Sequence, residues 1–256
     1  MAEYIEGKRP IIEALRTQMP LKYILMADNV KKDSLVNDIP RKARQLDVPV
    51  KNISRKKLDE ISDHGSHQGF MAEPKPFGYV NVSAIVEAAN ASAAEHDGRA
   101  LIVVLDHITD AGNLGAIARS AESVGAAGVI IPNKRAARVT AATYKSSAGA
   151  IAHIPVAQVA NIASCLERLK KENFWVAAAT EHAQDYIWDA NLKGKIALVM
   201  GNEGEGVSRL VLDGCDFGVK LPQVGDISSL NVAQASTACM YEWLRQNRTA
   251  AEGLRG

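Results

Sequence analysis

Residues 196–211 read IALVMGNEGEGVSRLV. An apolar run enters a turn with three glycines and two glutamates, and a helical segment follows. A glycine-rich turn after a buried strand ordinarily suggests a phosphate cradle. The dinucleotide fingerprint G-x-G-x-x-G, however, needs a glycine three residues after Gly206, where Arg209 stands. Electrostatics oppose that reading too. Glu203 and Glu205 would flank a doubly negative pyrophosphate, and like charges about 4 Å apart repel by roughly 4 kcal/mol at an effective dielectric of about 20. The turn suits a ligand that is neutral or cationic at its reactive end. The plain alternative is a structural turn with solvated glutamates.

The turn sits in an ordinary globular composition. The chain has 256 residues, 47% hydrophobic and 23% charged, with a formal net charge of +1. That length suits two modest domains or one large one, and no global field marks a nucleic-acid binder. The charge is uneven: residues 1–76 carry 14 Lys and Arg against 11 Asp and Glu, the remainder 16 against 18. The basic excess includes RKAR (41–44) and KNISRKK (51–57), readable as solvated faces or as an RNA-contacting surface. Cys165, Cys215 and Cys239 lack zinc-site or disulfide spacing, so a reducing, cytoplasmic setting is expected. The N-terminus has no apolar core of a signal peptide, and no run is long enough to span a bilayer. His64 and His67 stand three apart without a Cys or third ligand, so no metal site is expected. Trp175, Trp188 and Trp243 read as packing residues.

The pattern divides the chain. Residues 1–76 alternate short helices and strands, with KKDSLVNDIPRKARQLD a helix interrupted by Pro40 and Ser54 a candidate cap. Residues 77–98 form a linker with an alanine-rich helix. From residue 99, strands and helices alternate, which implies an open, mostly parallel sheet covered on both faces. ALIVVLD (100–106) is the continuous β-branched and apolar run of a doubly buried strand. Ligands bind beyond the carboxyl ends of such strands. Three loops there have unusual composition: DHITDAGNLG after ALIVVLD, GNEGEGVS after KIALVM, and PQVGDISSLN after DFGVKL. A shared site is expected. S-adenosylmethionine, with a sulfonium, an amine and no phosphate, fits the acidic turn.

These three segments resemble the sequence motifs of the SpoU/TrmH family in the SPOUT class of RNA methyltransferases. The first motif is DHITDAGNLGAIARSAESVGA, with Asn113 and Arg119; the second is MGNEGEGVS, with Gly201, Glu203 and Gly206; the third is LPQVGDISSLNVAQA, with Leu221, Pro222, Ser229, Leu230 and Asn231. Within the class, the likeness is nearest to bacterial 23S rRNA (guanosine-2′-O-)-methyltransferases of the RlmB type. There are departures: Ala111, Gln223 and Ala233 stand where the family often has proline, methionine and serine.

The resemblance implies an α/β chain: an N-terminal L30e-like α/β domain that binds substrate RNA (1–76), a linker (77–98), and a SPOUT α/β domain with a C-terminal trefoil knot (99–256). It implies a homodimer that methylates a ribose 2′-hydroxyl, with a guanosine of 23S rRNA or a pre-ribosomal particle as target. Gly201, Leu221, Leu230 and Thr180 would hold S-adenosylmethionine. Arg119, Glu203, Asn113, Ser229 and Asn231 would form the catalytic set. Arginine rarely deprotonates, so Arg119 could clamp phosphate while Glu203 accepts the proton. The alternatives are the same chemistry on tRNA or another rRNA site, including an antibiotic-resistance site, and a non-catalytic RNA-binding or ribosome-assembly factor.

Overall fold

The computed structural model describes residues 4–30, 34–62, 65–226 and 229–248; His64 lies outside them. The first unit runs β1 (Ile5–Glu6), α1 (Lys8–Arg16), β2 (Leu21–Ala27), α2 (Ser34–Gln45), β3 (Val50–Ile53), α3 (Arg55–Ile61) and β4 (Phe70–Pro74). Its sheet has the order β1-β4-β2-β3, with β2 and β3 parallel and the other pairs antiparallel. Ser54 caps α3 as expected, its Oγ accepting the Lys57 amide at 3.4 Å. Pro40 does not interrupt α2, which continues through it. Ile39 and Ala43, four apart on one face, are fully buried beside α1. That burial outweighs the amide hydrogen bond lost at proline. His67 is a structural residue: its Nε2 lies 2.8 Å from Asp59 Oδ1, and its Nδ1 accepts the Gly69 amide at 3.0 Å.

The second unit runs α4 (Val82–Glu95), β5 (Ala100–Asp106), α5 (Ala111–Ser123), β6 (Gly128–Pro132), α6 (Ala141–Ser146), β7 (Val156–Val159), α7 (Ile162–Lys171), β8 (Trp175–Ala179), β9 (Lys195–Gly201), α8 (Arg209–Asp213), β10 (Phe217–Val219) and α9 (Val232–Asn247). Its six strands are all parallel, in the order β10-β8-β9-β5-β6-β7. Strand β5 shows why its sequence is apolar throughout. Leu101, Val103 and Leu105 pack in the cluster that holds α5 and α9, while Ala100, Ile102 and Val104 pack in the one that holds α4 and α7. The two-residue period of a strand thus feeds both faces of the sheet.

The units share a core: one apolar cluster runs from Ile11 and Leu15 of α1 to Tyr144 and Ile151 of the second unit. The Val139 amide also donates to Tyr79 Oη at 3.0 Å. Trp243 is buried at 4% exposure, as a packing residue should be, but Trp175 and Trp188 are 61% and 64% exposed. Trp175 opens β8, and Trp188 lies in the loop after that strand. No helix among the described residues is long and apolar enough to cross a membrane.

Helix α5 approaches α6 through Gly115, where an added Cβ would lie 2.0 Å from Ser146 Oγ and 2.6 Å from the Thr143 carbonyl oxygen. Gly115→Ala should therefore cost about 1–3 kcal/mol by overpacking and lower the melting temperature by several degrees. An unchanged melting temperature would show that the two helices can part without loss.

Candidate functional site

Every loop that follows a strand of the parallel sheet emerges at one end of it. The first carries Asp110, which caps α5 by accepting the Asn113 amide at 2.7 Å. Asn113 is thereby freed from capping, and its Nδ2 donates to Glu203 Oε1. In the third segment Asn231 does cap a helix: its Oδ1 accepts the Ala233 amide at 2.9 Å. Its Nδ2 remains available and donates to Glu203 Oε1 at 2.8 Å and to Asn113 Oδ1 at 3.1 Å. One carboxylate oxygen thus gathers two amides from two other segments, and the three loops form one site.

The glycine turn itself is closed from within. Asn202 and Gly206 exchange backbone hydrogen bonds of 3.1 Å in both directions, and Asn202 Oδ1 accepts the Gly204 and Glu205 amides at 2.8 and 2.7 Å. Gly206 has φ +68°, and a Cβ on Gly201 would fall 2.0 Å from the Gly206 carbonyl carbon. These glycines serve the tightness of the turn. Asn202 occupies the Gly204, Glu205 and Gly206 amides, so these three are not offered to a phosphate.

Two cavities flank the turn. The smaller, about 230 Å³, is lined by Thr180, Gly201, Leu221, Ser229 and Leu230, together with Glu203 and Glu205. All four residues expected to hold a cofactor therefore line one hollow, and Ser229 joins them. Apolar Leu230 is 47% exposed at its wall, and Cys239 lines the same cavity, its thiol pushed up to about 12 by burial. That cysteine stays neutral and behaves as a small apolar residue.

The larger cavity, about 610 Å³, lies between the glycine turn and the loop after β5, with Asn113 and Glu203 on its wall. Arg119 lines neither cavity; it is exposed on α5. Six residues along a helix is about 240° of rotation from Asn113, so the two side chains leave α5 in different directions.

Sequence reasoning missed three lining residues. Asp106, 1% exposed at the end of β5, accepts the Ser208 amide on Oδ2 at 2.7 Å and holds His107 Nδ1 against Oδ1 at 2.6 Å. Arg135 belongs to the basic loop NKRAARVT after β6 and also faces the larger cavity. The signals were present: an acid closing a buried strand, and a fourth loop at the same end of the sheet.

Comparison with known proteins identifies the family. Residues 100–241 match the SpoU rRNA Methylase family, and residues 4–80 match RNA 2′-O ribose methyltransferase substrate binding. A Bacillus subtilis (strain 168) protein named TrmH family tRNA/rRNA methyltransferase YacO is 36% identical over 250 residues, covering 98% of each chain. A Staphylococcus aureus (strain MSSA476) relative named in the same family is 36% identical over 251 residues, covering 97% of this chain and 98% of its own. Among solved structures, the SpoU methyltransferase AviRb of Streptomyces viridochromogenes, in complex with the cofactor AdoMet, superposes with a TM-score of 0.69 at 24% identity over 96% of this chain and 90% of its own. The chain belongs to the SpoU/TrmH family of RNA methyltransferases.

The double duty of Asn231 has a measurable consequence. Asn231→Ala removes a helix cap and should cost about 1 kcal/mol in denaturant unfolding. Asn113→Ala removes only a partly exposed side-chain contact and should stay within about 0.5 kcal/mol. Equal losses would contradict the division of roles.

Proposed function

We propose that this chain methylates a ribose 2′-hydroxyl of RNA with S-adenosylmethionine, a guanosine of 23S rRNA being the preferred target. The observation that carries the reading is the meeting of Asn113, Glu203 and Asn231 between the two cavities. The cofactor supplies a methyl group on a sulfonium, a leaving group already activated by its charge. The lining of the smaller cavity suits such a molecule. Leu221 and Leu230 offer apolar surface to an adenine, and Glu203 and Glu205 offer negative charge to a cation. Thr180, Gly201, Leu221 and Leu230 would hold it.

The RNA would enter the larger cavity, where the Arg135 guanidinium suits a phosphate beside the target nucleotide. Glu203 fixes the two asparagine amides, which then orient the ribose, with Ser229 on the cofactor side. Arg119 stands outside both cavities of a single chain. We assign it to a phosphate clamp completed in a homodimer. In the division we propose, residues 1–76 are an L30e-like substrate-binding domain, 77–98 a linker whose α4 lies on the large sheet, and 99–256 the catalytic domain. The return of the chain from edge strand β10 to α9, packed on α5, supports a C-terminal trefoil knot. A cytoplasmic enzyme of rRNA or an assembling ribosomal particle is the setting that accords with three free cysteines. The same chemistry on tRNA is the second reading, favoured by the tRNA/rRNA names of the relatives.

Incubation of the enzyme with labelled S-adenosylmethionine and total RNA, followed by mapping of ribose methylation, separates these readings. Label at one 23S rRNA guanosine is expected; label confined to tRNA would reassign the substrate, and no label would end the enzymatic reading. In the same assay Arg119→Ala should abolish transfer while cofactor affinity stays within a few-fold. Lost cofactor binding would move Arg119 to the donor pocket.

The clusters at 41–44 and 51–57 present Arg41, Arg44, Lys51, Arg55, Lys56 and Lys57 to solvent. If they grip RNA, neutralising Arg55, Lys56 and Lys57 should weaken RNA binding and flatten its dependence on salt. An unchanged salt slope would return them to a solvated face.

A further inference from the structure

The Asp106–His107 pair is built more elaborately than a turn requires. Asp106 closes β5 and is almost wholly buried, yet both of its oxygens are engaged: Oδ2 by the Ser208 amide at 2.7 Å, Oδ1 by His107 Nδ1 at 2.6 Å. A carboxylate only accepts, so Nδ1 carries a proton, and in the neutral ring the lone pair falls on Nε2. Among the described residues nothing partners Nε2. His107 holds a φ of +59°, in the left-handed region that residues with a Cβ adopt uncommonly. The ring is 39% exposed and lines the larger cavity together with Asn113 and Glu203.

We infer that His107 is the catalytic proton acceptor of the methyl transfer, an assignment that rests on the ribose-methylation reading above. The 2′-oxygen forms its bond to the methyl carbon as the carbon–sulfur bond breaks and its electron pair leaves on sulfur. The hydroxyl proton passes to His107 Nε2. Asp106 balances the imidazolium, and the proton returns to water through the open mouth of the cavity. This is the division of labour of a buried carboxylate that fixes a histidine's tautomer and offsets its charge. The other charged groups facing the cavity are Asp110 from the cap of α5, Arg135 from the loop after β6, and Glu203 and Glu205 from the glycine turn. Carboxylates outnumber the one guanidinium there, so the wall accommodates the positive charge that the ring acquires. A guanidinium such as that of Arg119 does not give up its proton readily, and Glu203 spends one oxygen, Oε1, on the two asparagine amides.

The test pairs kinetics with a measurement on the ligand-free protein. Single-turnover methylation by the wild type should rise with pH through one ionisation. His107→Asn, whose side chain tolerates the left-handed backbone, should lower the rate at least 100-fold, abolish that ionisation and leave the KM for RNA within a few-fold. Nitrogen-15 NMR of the wild-type ring, free of cofactor and RNA, should show the proton on Nδ1, and Asp106→Asn should move it to Nε2. An Nε2-protonated ring in the wild type overturns the proposal. So does a His107→Asn enzyme that keeps the wild-type rate and pH profile, or one whose loss lies wholly in KM. A wild type that methylates no ribose refutes the underlying function; a methylating wild type matched by the variant refutes this assignment alone.

Discussion

A single carboxylate oxygen organises the loop end of the parallel sheet. Glu203 Oε1 accepts from Asn113 and Asn231, and each asparagine is itself fixed at the start of a helix: Asn113 in the first turn of α5, Asn231 as the cap of α9. Three segments separated by up to 118 residues in sequence are thereby joined. The arrangement also explains an acid in a glycine-rich turn. Three of the turn's amides, those of Gly204, Glu205 and Gly206, are satisfied by Asn202 rather than by an anion, and its glutamate collects donors from neighbouring segments.

A second carboxylate, this one buried, performs the matching task behind the exposed Glu203. Asp106 ends β5, in register with Gly201 at the end of β9, and reaches both the start of α8 and the ring of His107. The loop after β5 and the return from the glycine turn are tied through it. The loops that wall the cavities on either side of Glu203 are therefore anchored at strand ends, which favours preorganisation of a site.

Much of this was legible in the sequence, for physical reasons. Doubly buried parallel strands must be apolar throughout, so ALIVVLD and KIALVM announced the centre of the sheet. Ligand loops must follow strand carboxyl ends, so the three glycine- and asparagine-bearing segments could be assigned to one site before any coordinates. What stayed hidden depends on direction and burial. Spacing placed Arg119 in a motif, but helical rotation points it away from the cavities. Pro40 reads as a break, yet the burial of Ile39 and Ala43 carries α2 through it. Trp175 and Trp188 read as core and stand in solvent. His107 lies in the first of these loops, but the burial of its neighbour Asp106 is a property of the fold that adjacency in sequence does not reveal.

The most direct test is a crystal structure of the protein soaked with S-adenosylmethionine or a stable sulfonium analogue. Density in the hollow bounded by Thr180, Gly201, Leu221 and Leu230, with the positively charged end toward Glu203, is the predicted result. Density elsewhere, or an empty hollow at a saturating concentration, would contradict it.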